Sequence, residues 1–157
     1  MTAEARLVQL GLHLPSVSPP KGLYRPLVIV DRLAFTSGHL PTRPDGSVVT
    51  GCVGADLDQA AGAAAARLAA LAILATLRAE LGSLDRVRRV VKVLGLVYCT
   101  PDFHHHPAVI NGASELFAEV FGREDGVGAR SALGAASLPL GATVEIEAVF
   151  ELHEKLS

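Results

Sequence analysis

The chain has 157 residues, a formal charge of −2 and a pI near 6.3, which excludes the broad basic footprint of a nucleic-acid binder. Half of the residues are hydrophobic, only 19% are charged, and the mean hydropathy is +0.38, so the chain can build one core and has apolar surface left to bury in an oligomer. Trp is absent and aromatics make up 4%, which removes the stacking platform that single strands need.

Read in chain order, the first residues carry Glu4 and no sustained apolar run, so they do not read as a secretory signal. Arg6 to Leu10 reads as a short strand. The stretch LPSVSPPKG (14–22) is a Pro-rich connection that cannot be regular. A hairpin follows, with apolar strands Leu27–Val30 and Leu33–Thr36 around the turn pair Asp31-Arg32. HLPTRPDGSVVTG (39–51) is a loop with an Asp-Gly turn signal.

Asp56 is expected to cap a long Ala-rich helix that ends at Gly82. The apolar run from Ala60 to Leu77 is long enough to raise the question of a membrane. Asp56, Arg67 and Arg78 recur every 11 residues and drift by only about 20° per step around a helix, so they form one narrow polar stripe. This is the pattern of a surface helix of a cytoplasmic protein. Asp85 to Thr100 reads as a strand whose alternation is imperfect. Gly95 marks a bulge or a close contact. PDFHHH (101–106) is a loop, Pro107 suits the first position of a second helix, and that helix runs to Phe121 before Gly122. Two final strands, about 128–136 and 143–153, read as a hairpin. The order strand-strand-helix-strand-helix-strand-strand predicts a single α+β domain over residues 1–157, with a mixed sheet and two helices on one face.

Few residues carry chemistry. His104, His105 and His106 are adjacent, so they cannot all point at one metal, and they read as a solvated or structural loop, with a metal site involving Asp102 as the alternative. Neither GCVGAD nor GREDGVGAR is a P-loop or dinucleotide fingerprint. Ser37 is not in a GxSxG elbow, and by itself it reads as a turn residue. Cys52 and Cys99 form no CxxC or zinc spacing and read as buried thiols of a reducing compartment. Arg130 differs. Period 2 places it on one face with Ala132, Gly134 and Ala136, so small neighbours surround a guanidinium. On the last strand Val144, Ile146, Ala148, Phe150 and Leu152 form a core stripe, and Glu145, Glu147 and Glu151 point the other way. Two readings stay open. Arg130 forms a structural ion pair with one of these glutamates, or it binds a ligand carboxylate beside a carboxylate base. The register of the two strands is open, and the two groups can also meet across a subunit boundary.

The residues Tyr24, FTSGHLP (35–41) and ARSALGAASLPLGATVEIEAVF (129–150) resemble the RidA/YjgF family of enamine/imine deaminases over roughly residues 22–153. The resemblance implies a chorismate-mutase-like domain that assembles as a homotrimer with clefts between subunits. It implies hydrolysis of reactive 2-imino and 2-enamino acids to 2-keto acids and ammonia, without a metal or organic cofactor. By the same resemblance Arg130 grips the substrate carboxylate, Glu145 handles water, and Ser37, Tyr24 and Asn111 line the cleft. Ala132 stands where many members carry Cys, and His39 where many carry Gln. The alternative is a non-catalytic trimeric module that uses Arg130 to bind a small carboxylate, with no nucleic acid or membrane as partner.

Overall fold

Ala, Leu and Arg, all good helix formers, fill the longest helix of the computed structural model, which describes residues 1–154. The single domain expected over 1–157 therefore ends, for residues 155–157, outside the described part. The chain begins with α1 (Ala3–Gln9), continues through β1 (Leu27–Val30) and β2 (Leu33–Thr36) to α2 (Gln59–Leu81), then β3 (Val87–Tyr98), α3 (His106–Phe121), the short α4 (Arg123–Gly126), β4 (Ala129–Ala135) and β5 (Val144–Leu152).

The expected hairpin forms with the anticipated limits. Val30 pairs with Leu33 across a two-residue turn, and Asp31 takes a positive φ of 55° there. Positive φ at a hairpin turn matches the right-handed twist of the strands, and Asp tolerates it. The expected strand at Arg6–Leu10 is instead helix α1. Its buried residues, Ala3 and Leu7, are four apart, which is a helical spacing. Thr2 caps it, and Glu4 ties it to the rest of the fold by accepting the Leu84 N–H at 3.0 Å.

α2 starts two residues later than expected. Asp58, not Asp56, accepts the Ala61 N–H at 2.8 Å, and Asp56 closes the preceding turn on the Cys52 N–H. Gly82 ends the helix at φ 81°, a conformation that costs glycine little. By length and composition α2 could cross a membrane. Its small-residue face is instead used in the core, where Ala65, Ala66, Ala69, Ala70, Ile73 and Leu74 are buried. Its polar stripe finds partners in Glu119 of α3, 2.6 Å from Arg67, and Glu4, 3.2 Å from Arg78.

The five strands form one mixed sheet in the order β1-β2-β5-β3-β4. The last two strands are not a hairpin. β3 lies between them, antiparallel to β5 and parallel to β4. Irregularities in the β3–β5 pairing at Val87/Arg89 and Val90/Lys92 account for the broken alternation of β3. α2 and α3 pack on one face of the sheet over Val93, Val97, Val144, Ile146, Ala148 and Phe150. Two glycines allow this closeness. A Cβ on Gly95 would lie 2.5 Å from Ile110, and one on Gly112 only 2.0 Å from the Ala63 carbonyl oxygen. The opposite face has no helix. It carries half-buried Leu94, Leu96, Tyr98 and Val149, exposed Val28, Val30, Phe35 and Leu133, and the glutamates of β5.

The contact at Gly112 involves helix backbone, which cannot step aside as a side chain can. Gly112→Ala is therefore expected to lower the urea midpoint of unfolding by the equivalent of about 1–3 kcal/mol, despite the better helix propensity of Ala. An unchanged midpoint would show that α2 and α3 are not packed this closely.

Candidate functional site

The site residues fall into two groups, whose charged members, Glu145 and Arg130, lie on opposite faces of the sheet. The first group is built on an irregularity between β2 and β5. Phe35 pairs with Val149, and the next bridge joins His39 to Ile146, so four steps along one strand match three along the other. The extra residue lifts Ser37 and Gly38 out of the ladder, and the Thr36 hydroxyl accepts the Ala148 N–H at 2.9 Å in compensation. Ser37 is then held by the segment before β1. Its N–H donates to the Pro26 carbonyl at 2.9 Å and its hydroxyl to the Arg25 carbonyl at 2.6 Å. Tyr24 leads into that segment and is 53% exposed, so its ring is available to a ligand.

Glu145 lies against the same irregularity. A Cβ on Gly38 would fall on its carboxylate, so any larger residue there would make the Glu145 side chain shift. Glu145 pairs with Leu96 on the face that has no helix, and Glu147 follows on the same side. Burial, with help from the charge of Glu147, pushes the Glu145 pKa above the ordinary carboxylate range. Glu151, by contrast, is an ion-pair centre. Its two oxygens lie 3.3 Å from Arg32, 3.4 Å from Arg88 and 3.5 Å from Arg89.

The second group sits at the edge of the sheet, under α3. Arg130 is in register with Val93 of β3, whose own partner on β5 is the buried Ala148, so its side chain points to the helix-covered face. There its Nη1 donates to Asn111 Oδ1 at 2.8 Å and to Ser114 Oγ at 3.1 Å. Asn111 and Ser114 are three residues apart on α3 and so share a face. The three line a pocket of about 330 Å³ whose floor is Val93 and Phe117 and whose rim is Gly126–Gly128. Among the described residues Arg130 has no ion pair with a carboxylate. The alternative of a structural pair with a glutamate of β5 therefore fails within one chain, because β3 intervenes and the faces are opposite. Ala132, the next inward residue on β4, packs against the core and offers no thiol.

Two contributors escaped the sequence reading. Ser114 was visible in principle as the i+3 neighbour of Asn111. His39 was noted only as a departure from a family residue. Its Nδ1 lies 2.7 Å from the Ser37 carbonyl and its Nε2 2.8 Å from the Thr76 hydroxyl of α2. A carbonyl only accepts, so Nδ1 carries the proton and the neutral ring accepts the Thr76 hydroxyl at Nε2. Burial lowers the His39 pKa, against the opposing pull of the Ser37 carbonyl, and keeps the ring neutral.

The histidine run does not form a comparable cluster. His106 opens α3, one residue before the expected start, and the His105 and His106 rings meet Phe103 edge-on at 6.0 and 5.8 Å. Among the described residues no group of three or more His, Cys, Asp or Glu side chains is placed to hold a metal. Cys52 and Cys99 are free and half-buried, and burial raises the Cys99 thiol pKa.

Residues 4–152 match the family described as "YjgF/chorismate mutase-like, putative endoribonuclease". The chain belongs to this family. It is 44% identical to Protein TCP17 of Trypanosoma cruzi over 149 residues, 95% of this chain and 93% of that one. The crystal structure of Atu1372 from Agrobacterium tumefaciens, a protein of unknown function, is 45% identical and superposes with a TM-score of 0.87 over 96% of this chain and 92% of that one. The YjgF gene product of E. coli is 26% identical, with a TM-score of 0.59 over 90% of this chain and 94% of that one. The fold is YjgF-like, and by identity this chain lies nearer to the first two proteins than to the third.

The pKa of Glu145 can be followed by carbon NMR of its carboxyl group. Glu147→Gln should move the titration of Glu145 downward, since a repelling charge is removed, but not to the ordinary range, since burial is the larger cause. Because the folded pKa is raised, ionising Glu145 weakens the fold. Its stabilising contribution is full below the ordinary Glu range and is lost as pH rises through the raised value.

Proposed function

We propose that the protein hydrolyses reactive 2-imino and 2-enamino acids to 2-keto acids and ammonia, at sites shared between the subunits of a homotrimer. The observation that carries this reading is Arg130. It is a cation in a pocket, oriented by two neutral oxygens and left without a carboxylate of its own chain among the described residues. A guanidinium so arranged keeps donors for the two oxygens of a ligand carboxylate, a geometry that lysine cannot reproduce. Family membership supports a role in processing small molecules.

The two groups of residues must act together for chemistry, and one chain holds their charged members, Glu145 and Arg130, on opposite faces. In the proposed assembly the sheet faces without helices pack against each other. The edge strand β4 of one subunit then approaches the Tyr24–Ser37–Glu145 group of the next. Burial of Phe35, Val28, Val30 and Leu133, all exposed in the single chain, favours such packing. The substrate carboxylate binds Arg130, with Asn111 holding the guanidinium, and Ser37 and Tyr24 flank the reacting carbon. Glu145, its pKa raised by burial, accepts a proton from water as the water oxygen bonds to C2 of the imine and the C=N π pair moves to nitrogen. Glu145 returns that proton to the nitrogen, and the C2 hydroxyl proton then passes through Glu145 to the nitrogen as the C–N bond breaks, so ammonia leaves and the C2 carbonyl forms. An imine is already an activated bond, so a placed water, a base and a fixed carboxylate suffice. We place the enzyme in the cytoplasm, a reducing compartment in which Cys52 and Cys99 stay free thiols.

Three measurements test the reading. Light scattering at micromolar concentration should return three times the chain mass, and a monomer would leave the site in two halves and sink the proposal. Arg130→Ala should abolish calorimetric binding of 2-keto acids while the fold persists, a loss on the order of 2–5 kcal/mol, and Arg130→Lys should recover little of it. Undiminished binding by the Ala variant would make Arg130 structural. Glu145→Gln should lower imine hydrolysis by about 10²–10⁴ with keto-acid affinity nearly kept, and Glu147→Gln should not. Keto-acid binding through Arg130 with no hydrolysis in the wild type would instead identify a carboxylate-binding module.

A further inference from the structure

A cleft of about 410 Å³ opens from Ser37 and Gly38 and runs toward α2. Its outer wall is the Pro-rich connection, Pro15 to Lys21. Its inner wall is Ala72, Ala75 and Thr76 of α2, and Val48 closes one side. Apart from Lys21 at the rim, none of its lining residues is ionised at neutral pH. His39 lines it too, but its ring is neutral, and its two nitrogens are already engaged with Ser37 and Thr76. At the mouth stand Pro139 and Leu140. Leu140 is 67% exposed and holds a φ of 57°, a left-handed conformation that β-carbon sterics disfavour. An apolar side chain is thus held in a costly conformation at the entrance of an apolar cleft.

From this geometry we infer that the cleft is the side-chain subsite of the proposed catalytic site. The substrates it takes are 2-imino acids with an extended apolar side chain of about four or more carbons. The inference rests on the reading that Arg130 of one subunit holds the ligand carboxylate beside Ser37 and Glu145 of another. A ligand so held has its C2 at Ser37 and Gly38, and the cleft begins at those residues. A three-carbon acid leaves most of the space empty, whereas a longer apolar chain would line the wall formed by Val17, Val48, Ala72 and Ala75. A charged side chain finds no partner inside and would leave water for an apolar wall. The cleft lies within the range that small-molecule sites occupy, and of its polar groups His39 pairs with Thr76 while the Ser37 and Thr42 hydroxyls donate to backbone carbonyls.

The test is calorimetric titration of the full chain with a homologous series of linear 2-oxo acids, from pyruvate to 2-oxooctanoate. Affinity should rise about three- to fourfold per added methylene until the cleft is full. Ala72→Leu, which fills the cleft from the α2 wall, should flatten that rise, and Val48→Phe should do the same from the opposite side if the first variant fails to fold. A wild-type series that binds pyruvate but gains nothing with length overturns the subsite and leaves the Arg130 reading intact. An equal gain with length in the wild type and in a folded cleft-filling variant also overturns it, because the added carbons then bind elsewhere. Failure of every acid in the series to bind overturns the Arg130 reading and the subsite with it.

Discussion

β3 runs between β4 and β5, parallel to the one and antiparallel to the other, and this placement separates the two chemically distinctive side chains of the molecule. Arg130 shares a row with Val93 and Ala148 and therefore faces the helices. Glu145 is opposite Leu96, on the face without helices. Period 2 leaves no freedom here, since shifting either strand by one residue would invert its whole pattern and expose the core stripe from Val144 to Leu152. The separation is thus as well fixed as the hydrophobic core itself. Any chemistry that needs both groups must recruit a second copy of the chain.

The second face of the sheet stays largely apolar without a helix over it among the described residues. α2 and α3 are brought close to the sheet and to one another by Ala and Gly positions, and they bury one face over β3 and β5. The other face mixes Phe35, Val149, Leu94 and Leu96 with glutamates. Of these, Glu151 is neutralised by three arginines of its own chain, while Glu145 has only the repelling Glu147 beside it. A carboxylate placed for stability would resemble Glu151. Glu145 is held close to backbone at Gly38, partly buried, with no cation on it among the described residues. Such a group is costly to ionise, and burial is the larger part of that cost.

Local structure was legible where the sequence signal was local. The β1–β2 turn, the Gly82 stop and the Pro107 start depend on residues that act within one turn. α1 was misread because a five-residue window starting at Arg6 hides the Ala3–Leu7 spacing that makes it helical. The cap at Asp58 was missed because Asp56 is equally suited by type, and only the turn closed on Cys52 distinguishes them. Beyond the β1–β2 hairpin the sheet order was not legible. Strands close in sequence usually pair, and nothing in the composition of β4 announces that β3 takes its place beside β5. The same non-local fact hid the Arg130–Asn111–Ser114 arrangement, which comes from packing an edge strand under a helix. The family resemblance could name Asn111, but not its role of turning the guanidinium.

His39 shows how the two halves of the fold reach the site together. Its backbone bridges to Ile146 and so restores the ladder just beyond the irregularity that frees Ser37. Its ring reaches across to Thr76 on α2, whose hydroxyl is buried and would otherwise lack a partner on the ring side. A protonated ring would have to donate at Nε2 as well, and the Thr76 hydroxyl would then have to turn and accept. Burial disfavours that charge, so the neutral tautomer, the position of Ser37 and the seat of α2 on the sheet are set by one chain of hydrogen bonds. A glutamine at this position could imitate one of the two contacts through its amide, but it lacks the rigid ring that holds donor and acceptor at fixed opposite ends. The departure from the common family residue is therefore a change in how the cleft wall is braced, at the point where the proposed reaction centre and the apolar subsite meet.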